Sequence, residues 1–497
     1  MDSTLHIDRR QFLGQLSLGG LALNEMLALE AGGALSPRPA HHRPRAKNVI
    51  MLFMCGGTSH LETFDHKPKL KKWAGKKASE IFSKEDLTGF NPEKTVEKCQ
   101  ILPPVFEFKQ HGQCGAWVSE IYPQLATVVD EITFLKGVHT DSAIHSVGEI
   151  IWHTGHQRAG FPSMGSWVTY GLGSERADLP AYVVMKDGVS TAGDQVFQQG
   201  MLPGRHQASV ARVESGKMPF PNLNPRTGLD LKQQREHLDT LNHLNQLHRD
   251  RNPTQPDLTG RIEAYEMAFG MQKSATEVFD LSREPQSMHK LYGDNQFSKH
   301  CLTARRLVEN GVRFVEILDG ATGRKWDAHG NRGGLVGNHR SNAARTDQGI
   351  TALITDLKAR GMLDETLIVW ATEFGRTPFE EANREVRIGR GHHHRGFTLW
   401  LAGGGLKGGL TYGGTDDLGM NAIYNAVHVH DIHATVLHLL GLDHLKLTYR
   451  HNSRDVRLTD VFGNVIHDII ARGFVSFFLL PMLLLVFTFS TSSHGRT

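Results

Sequence analysis

The sequence predicts an α/β fold, a mostly parallel sheet sandwiched by helices with loop and helical insertions. Two observations carry this. Apolar runs rich in β-branched residues recur along the chain, and between them lie stretches where apolar residues return every three or four positions. Strand and helix alternation of this kind builds a parallel sheet whose two faces the helices cover.

The strand runs are Asn48 to Met54, Ile132 to Leu135, Ala181 to Met185, Arg313 to Leu318, Thr366 to Trp370 and Phe397 to Ala402. Each is short and mostly apolar, as a strand buried on both faces should be. Helical periodicity runs through Ser119 to Val129, Phe297 to Asn310 and Thr346 to Arg360. A further helix begins at Asp431, which reads as its N-cap, and ends at Gly441. Two regions interrupt the rhythm. Residues 66–118 are charged and turn-rich, with Pro68, Pro92, Pro103 and Pro104, and read as a surface excursion. An insertion at about 187–285 starts rich in Gly, Pro, Asn and Gln, then carries two helical stretches, Leu231 to Arg249 and Leu258 to Leu281. Such a hairpin is placed to shape a substrate rim. No internal repeat is evident.

The bulk composition narrows the function. In 497 residues, 55 Lys and Arg face 52 Asp and Glu, and no long basic block occurs, so nucleic acid is not an expected partner. The 29 histidines raise the expectation of metal or proton chemistry. Cys55, Cys99, Cys114 and Cys301 form no CxxC motif and read as structural. An oxidising compartment would allow a disulfide, for example one involving Cys99 and Cys114.

Both termini carry signals. Asp8-Arg9-Arg10-Gln11-Phe12-Leu13, followed by an apolar run from Leu16 to Leu29 and small residues from Ala31 to Ala34, reads as a twin-arginine export signal over residues 1–40. A basic amphipathic start to a cytoplasmic helix is the other reading. Residues 41–471 then form the α/β domain and 472–497 an apolar tail. Phe474 to Ser490 sits at the lower limit of a membrane span, which needs roughly 20 residues. A membrane anchor through 474–490, a packed terminal helix and an irregular extension all fit it.

Three stretches gather acids and histidines near expected strand ends: Trp326-Asp327-Ala328-His329-Gly330-Asn331, Thr372-Glu373-Phe374-Gly375-Arg376-Thr377-Pro378, and Gly389-Arg390-Gly391-His392-His393-His394-Arg395-Gly396. Open α/β sheets bind ligands beyond the carboxyl ends of their strands. Asp327 and His329 can place two ligands on one ion, although His329 alone would more often be a polar loop residue. Glu373 ends a central strand, and Arg376 would either bind an anion or pair with it. His392 and His394 share one side of an extended segment, so one of them is the better ligand. The loop Cys55-Gly56-Gly57-Thr58-Ser59-His60 leaves the first strand toward Glu62 and Asp65, and its glycines allow close backbone approach. His139-Thr140-Asp141-Ser142-Ala143-Ile144-His145 holds Asp, Ser and His, but a triad is recognised by geometry, not proximity.

Together with Ala402-Gly403-Gly404-Gly405 and Asp431-Ile432-His433-Ala434-Thr435, these stretches in this order resemble the bacterial family called domain of unknown function 1501, over roughly residues 40 to 471. That family is exported and is similar to sulfatases within the alkaline-phosphatase superfamily. The resemblance implies an alkaline-phosphatase/sulfatase-like fold and a divalent metal, Zn, Mn or Ca. Asp327, His329, Glu373 and His392 resemble its ligands, with Glu62 or Asp65 replacing an aspartate expected at the end of the first strand. Phe374 stands where a second ligand is expected, and Gly391 where an aspartate is usual. His145 occupies the nucleophile position, where a histidine would attack phosphorus or sulfur or bind a metal instead, and His145 and Arg376 would contact the anion. The implied function is an exported metal-dependent hydrolase of sulfate or phosphate esters, its anionic substrates including sulfated polysaccharides. The alternative is a non-catalytic cell-surface or periplasmic binding or assembly protein that keeps the fold. No feature indicates an oligomeric state.

Overall fold

The structure, a computed structural model, describes residues 36–88, 96–214, 217–220, 223, 230–251, 256–320, 326–329, 334–381 and 388–472. The part of the expected export signal up to residue 35, Gly330 and Asn331, and the tail at 474–490 lie outside them. Among the described residues no helix is long and apolar enough to cross a membrane.

The strands that build the main sheet and its site are β1 (Asn48–Met54), β2 (Ile132–His139), β3 (Tyr182–Gly188), β4 (Ser209–Ala211), β5 (Phe314–Gly320), β6 (Thr366–Ala371), β7 (Gly375–Glu380), β8 (Arg390–His393), β9 (Phe397–Gly403), β10 (Leu410–Tyr412) and β11 (Val427–His428). All but β7 and β8 join one sheet in the order β10-β2-β9-β6-β1-β5-β3-β4, with β11 also beside β2. Neighbours are parallel except at β9, which runs antiparallel to both β2 and β6. The carboxyl ends of β1, β2, β5 and β6 therefore share one edge.

The expected helical cover is present on both faces. In β1, Ile50, Leu52 and Met54 point into one apolar cluster and Val49, Met51 and Phe53 into the other, the two-residue alternation of a strand. The first cluster takes in the helices Gln296–Glu309 and Gly334–Ala359. The second takes in His145–Thr154, Met164–Leu172 and Val429–Leu439. Glu316 is a buried carboxylate on that second face of β5. It accepts hydrogen bonds from His153 Nε2 (2.8 Å) and the Tyr182 hydroxyl (2.6 Å), which ties the His145–Thr154 helix to the sheet centre.

Three details depart from expectation. Ser119 to Val129 is not a helix: Ser119 closes a short strand, and only a 3₁₀ segment, Leu125–Glu131, follows. Pro123 has no N–H to give, and the amides of Gln124 and Leu125 are held by the Asp347 carboxylate instead. Asp431 is not the cap of its helix. His428 caps it, and Asp431 in the first turn accepts from the His428 amide at 2.9 Å. Cys99 and Cys114 are not bridged; all four cysteines are thiols. The inserted hairpin is present as helices Leu231–Arg251 and Pro256–Phe279.

Candidate metal centre

Five segments meet at the shared strand edge. β1 runs into Gly56 and Gly57, whose φ angles of +117° and +67° suit glycine. A Cβ on Gly56 would lie 2.6 Å from the Asp327 backbone nitrogen, so the loop after β5 packs directly on it. β6 delivers Thr372 and Glu373. The antiparallel hairpin of β7 and β8 sets His392 opposite Arg376. β2 leads through Ala143 into the helix that starts at His145, and Gly148 of that helix lets it rest against Glu373 and Phe374.

Asp327 Oδ1 is the focus. It lies 2.7 Å from His329 Nε2, 3.2 Å from His392 Nε2 and 3.4 Å from His145 Nε2. These donor atoms all fall within 4.8 Å of one another. Zinc–nitrogen bonds of about 2.0–2.1 Å put tetrahedral donors roughly 3.4 Å apart, so the set is sized for one ion. The other ring nitrogens fix the tautomers. His145 Nδ1 donates to Glu373 Oε1 at 2.6 Å, His329 Nδ1 to Glu381 Oε2, and His392 Nδ1 to the Ala143 carbonyl at 2.9 Å. A carbonyl can only accept, so His392 holds its proton on Nδ1 and turns a bare Nε2 inward. Acceptors behind the imidazoles, leaving Nε2 to the ion, are the usual support of a histidine metal site.

Residues 46–470 match the family described as protein of unknown function (DUF1501). The chain belongs to that family. No curated protein matches this DUF1501 chain in sequence. In structure it is similar to the lipoteichoic acid synthase LtaP of Listeria monocytogenes, at 9% identity and a TM-score of 0.35, over 88% of this chain and 80% of that one. It is similar also to the sulfatase PsFucS1 of a Pseudoalteromonas species, at 11% identity and a TM-score of 0.35, covering 88% and 72%. A third is a phosphonate monoester hydrolase of Silicibacter pomeroyi, at 12% identity and a TM-score of 0.30, covering 83% and 76%. Likeness at these scores says nothing of chemistry, which rests on the chain's own side chains.

Of the residues singled out in the sequence, the DUF1501 fold brings Asp327, His329, His392 and His145 together, with Glu373 and Arg376 beside them. Glu373 faces away from the converging donors: Oε1 accepts from His145 and from the Gly56 amide (2.8 Å), and Oε2 from the Thr372 hydroxyl (3.1 Å). Its place is behind a ligand, not among the ligands. His145, read as a nucleophile or a metal ligand, presents Nε2 to Asp327 at 3.4 Å. Glu62 and Asp65 do not join the group. Glu62 is paired with the buried Arg390 at 2.8 Å, and Asp65 with Lys67 at 3.2 Å and the Thr415 hydroxyl at 2.6 Å. His393 turns to the opposite side of β8 and meets the Met420 carbonyl, as alternation in a strand requires. Sequence reasoning missed Glu381. It lies just past β7 in a polar stretch that reads as an ordinary turn, and only the fold shows its imidazole partner.

The electrostatics suit a cation. Burial works against the Asp327 carboxylate, but the His145, His329 and His392 rings around its Oδ1 and the charge of Arg376 hold it far below the usual range. Burial and Arg376 push His392 down to about 4, against the pull of Asp327, so it is neutral. Burial would also lower His145, yet Asp327 and Glu373 override it and push the imidazole up to about 9. The ion-free centre thus holds a proton on His145 that a metal must displace. Titration of the protein with zinc near about pH 7.5, in buffers of different ionisation enthalpy, is expected to show release of about one proton per ion bound. Apparent affinity should fall about tenfold per pH unit below the imidazole's value. Binding with no proton release would remove His145 from the ligand set.

Proposed function

We propose that this DUF1501 chain is an exported, metal-dependent hydrolase of sulfate or phosphate esters. The carrying observation is the convergence of three tautomer-fixed imidazole nitrogens on Asp327. Three nitrogens and one carboxylate suit Zn far better than Mn or Ca, which prefer oxygen ligands. A bound divalent ion supplies Lewis-acid polarisation of an ester oxygen. The chain's own part is to hold that position. Asp327, His145, His329 and His392 bind it, and Glu373, Glu381 and the Ala143 carbonyl orient the three rings. The ligand side chains retain 10–32% exposure, so a substrate can reach them. Support for export is the Asp8–Leu13 segment with its apolar run, and for surface retention the apolar stretch at 474–490.

A second reading, a binding protein without turnover, is favoured by Phe374. Its ring packs 4.9 Å from that of His145 and 4.7 Å from that of His392, an apolar wall against two of the ligands. Metal analysis of the exported protein, followed by assays on aryl sulfates and on phosphate mono- and diesters, separates the two. The hydrolase reading expects turnover that chelation removes and metal restores. Metal retention with no turnover on any ester class would decide for the binding protein, and the absence of both metal and turnover would discard both.

A further inference from the structure

Arg376 sits inside the centre without the surroundings of an anion-binding arginine. Its side chain is fully buried, and four of its five N–H groups are held by oxygen acceptors, while the fifth, on Nη1, faces His329 Nε2 at 3.5 Å. Nε donates to the Gly57 carbonyl at 2.6 Å, Nη1 to the Arg390 carbonyl at 3.0 Å, and Nη2 to the Gly56 carbonyl and to Asp327 Oδ1 at 2.6 Å. Main-chain carbonyls carry partial negative charge and here form the inner wall of a cation pocket. Gly56 and Gly57 can turn both carbonyls inward because their backbone is left-handed. The neighbouring buried guanidinium, Arg390, has Glu62 for itself. Among the described residues, the carboxylate within ion-pair distance of Arg376 is Asp327 alone. It is the same oxygen on which the imidazoles converge.

We infer that Arg376 is a built-in cation that occupies the inner side of Asp327 and limits the centre to one divalent ion. This rests on the metal-centre reading above. Charge supports it. The carboxylates of Asp327, Glu373 and Glu381 are balanced by one guanidinium and one divalent ion, with the imidazoles neutral. A second divalent ion would leave two positive charges unpaired in a largely buried site, which is strongly unfavourable. Ligand supply agrees, because Glu373 and Glu381 are engaged by His145 and His329, and the described residues hold a single group of convergent donors. Arg376 therefore acts on the ion through a shared carboxylate and by direct repulsion, with four of its five N–H groups committed to protein oxygens.

Equilibrium dialysis of the full chain against zinc chloride or manganese chloride, with metal counted by mass spectrometry, tests this without any assay of turnover. One ion per chain is expected, with no second site of comparable affinity. Arg376→Gln removes the repulsion and should tighten binding of that ion by about tenfold or more, since charges a few ångströms apart in a protein interact by more than that. Two ions per wild-type chain would overturn the inference while leaving the metal centre intact. A folded Arg376→Gln protein with unchanged or weaker binding would also overturn it, weaker binding making Arg376 a positioning residue for Asp327. No ion bound at all would overturn the metal centre and this inference together. The wild-type count needs no variant and decides the question if Arg376→Gln does not fold.

Discussion

Asp327→Asn is expected to give a folded protein that no longer binds a divalent ion and has no esterase activity. The substitution keeps the shape and removes the one charge shared by three imidazoles and a guanidinium. For wild type, an ion at a hundred times its dissociation constant should stabilise the native state by about 2.7 kcal/mol. In Asp327→Asn that stabilisation should vanish, so a thermal melt with and without zinc reads the effect directly. The variant also strands Arg376 among carbonyls with no counter-charge, and breaking a buried pair costs about 3–5 kcal/mol. A lowered melting temperature that zinc does not raise is the expected result. Retained metal at wild-type affinity would mean that Asp327 is not a ligand.

The second large effect is at Arg390. Its guanidinium donates to Glu62 Oε1 through Nε (2.9 Å) and to the Pro103 carbonyl (3.0 Å), while Val105 donates to Glu62 Oε2 (2.9 Å). Its backbone amide reaches the Ala328 carbonyl at 3.2 Å, inside the Asp327 to His329 turn. Arg390→Met leaves Glu62 as an unpaired buried carboxylate, and a loss of about 3–5 kcal/mol in urea unfolding is expected. Adding Glu62→Leu should recover most of it, because apolar replacement of both partners is often neutral. A loss under about 1 kcal/mol for Arg390→Met would show that water reaches Glu62 and that the pair is not holding β8 in place.

The six central strands were legible because burial on both faces forces continuous apolar runs. β1 matches its run end to end, and each of the others runs a residue or more past its run at its own carboxyl end. β7 and β8 were not legible. Arg376, Thr377, Pro378, Arg390 and His392 give them no apolar pattern, since their side chains answer to the centre and to Glu62. The edge pieces β4, β10 and β11 are two or three residues long, too short for any periodicity. At the site, the residue types were readable and the division of labour was not. Glu373 looked like a ligand from its position at a strand end, and His145 like a nucleophile or a ligand from the family resemblance. Only the side-chain directions show that one holds the other.

The four converging side chains come from residue 145, from 327 and 329, and from 392, segments that meet only when β2, β5 and the β7–β8 hairpin are all in place. Apart from Asp327 and His329, neighbours in sequence contribute nothing to one another, so the unfolded chain has no preformed chelate. Contacts so distant along the chain form late, after the loop-closure entropy has been met. An ion added during refolding should therefore leave the folding rate nearly unchanged and slow unfolding instead. Metal would act as a latch on a finished molecule rather than a template for making it.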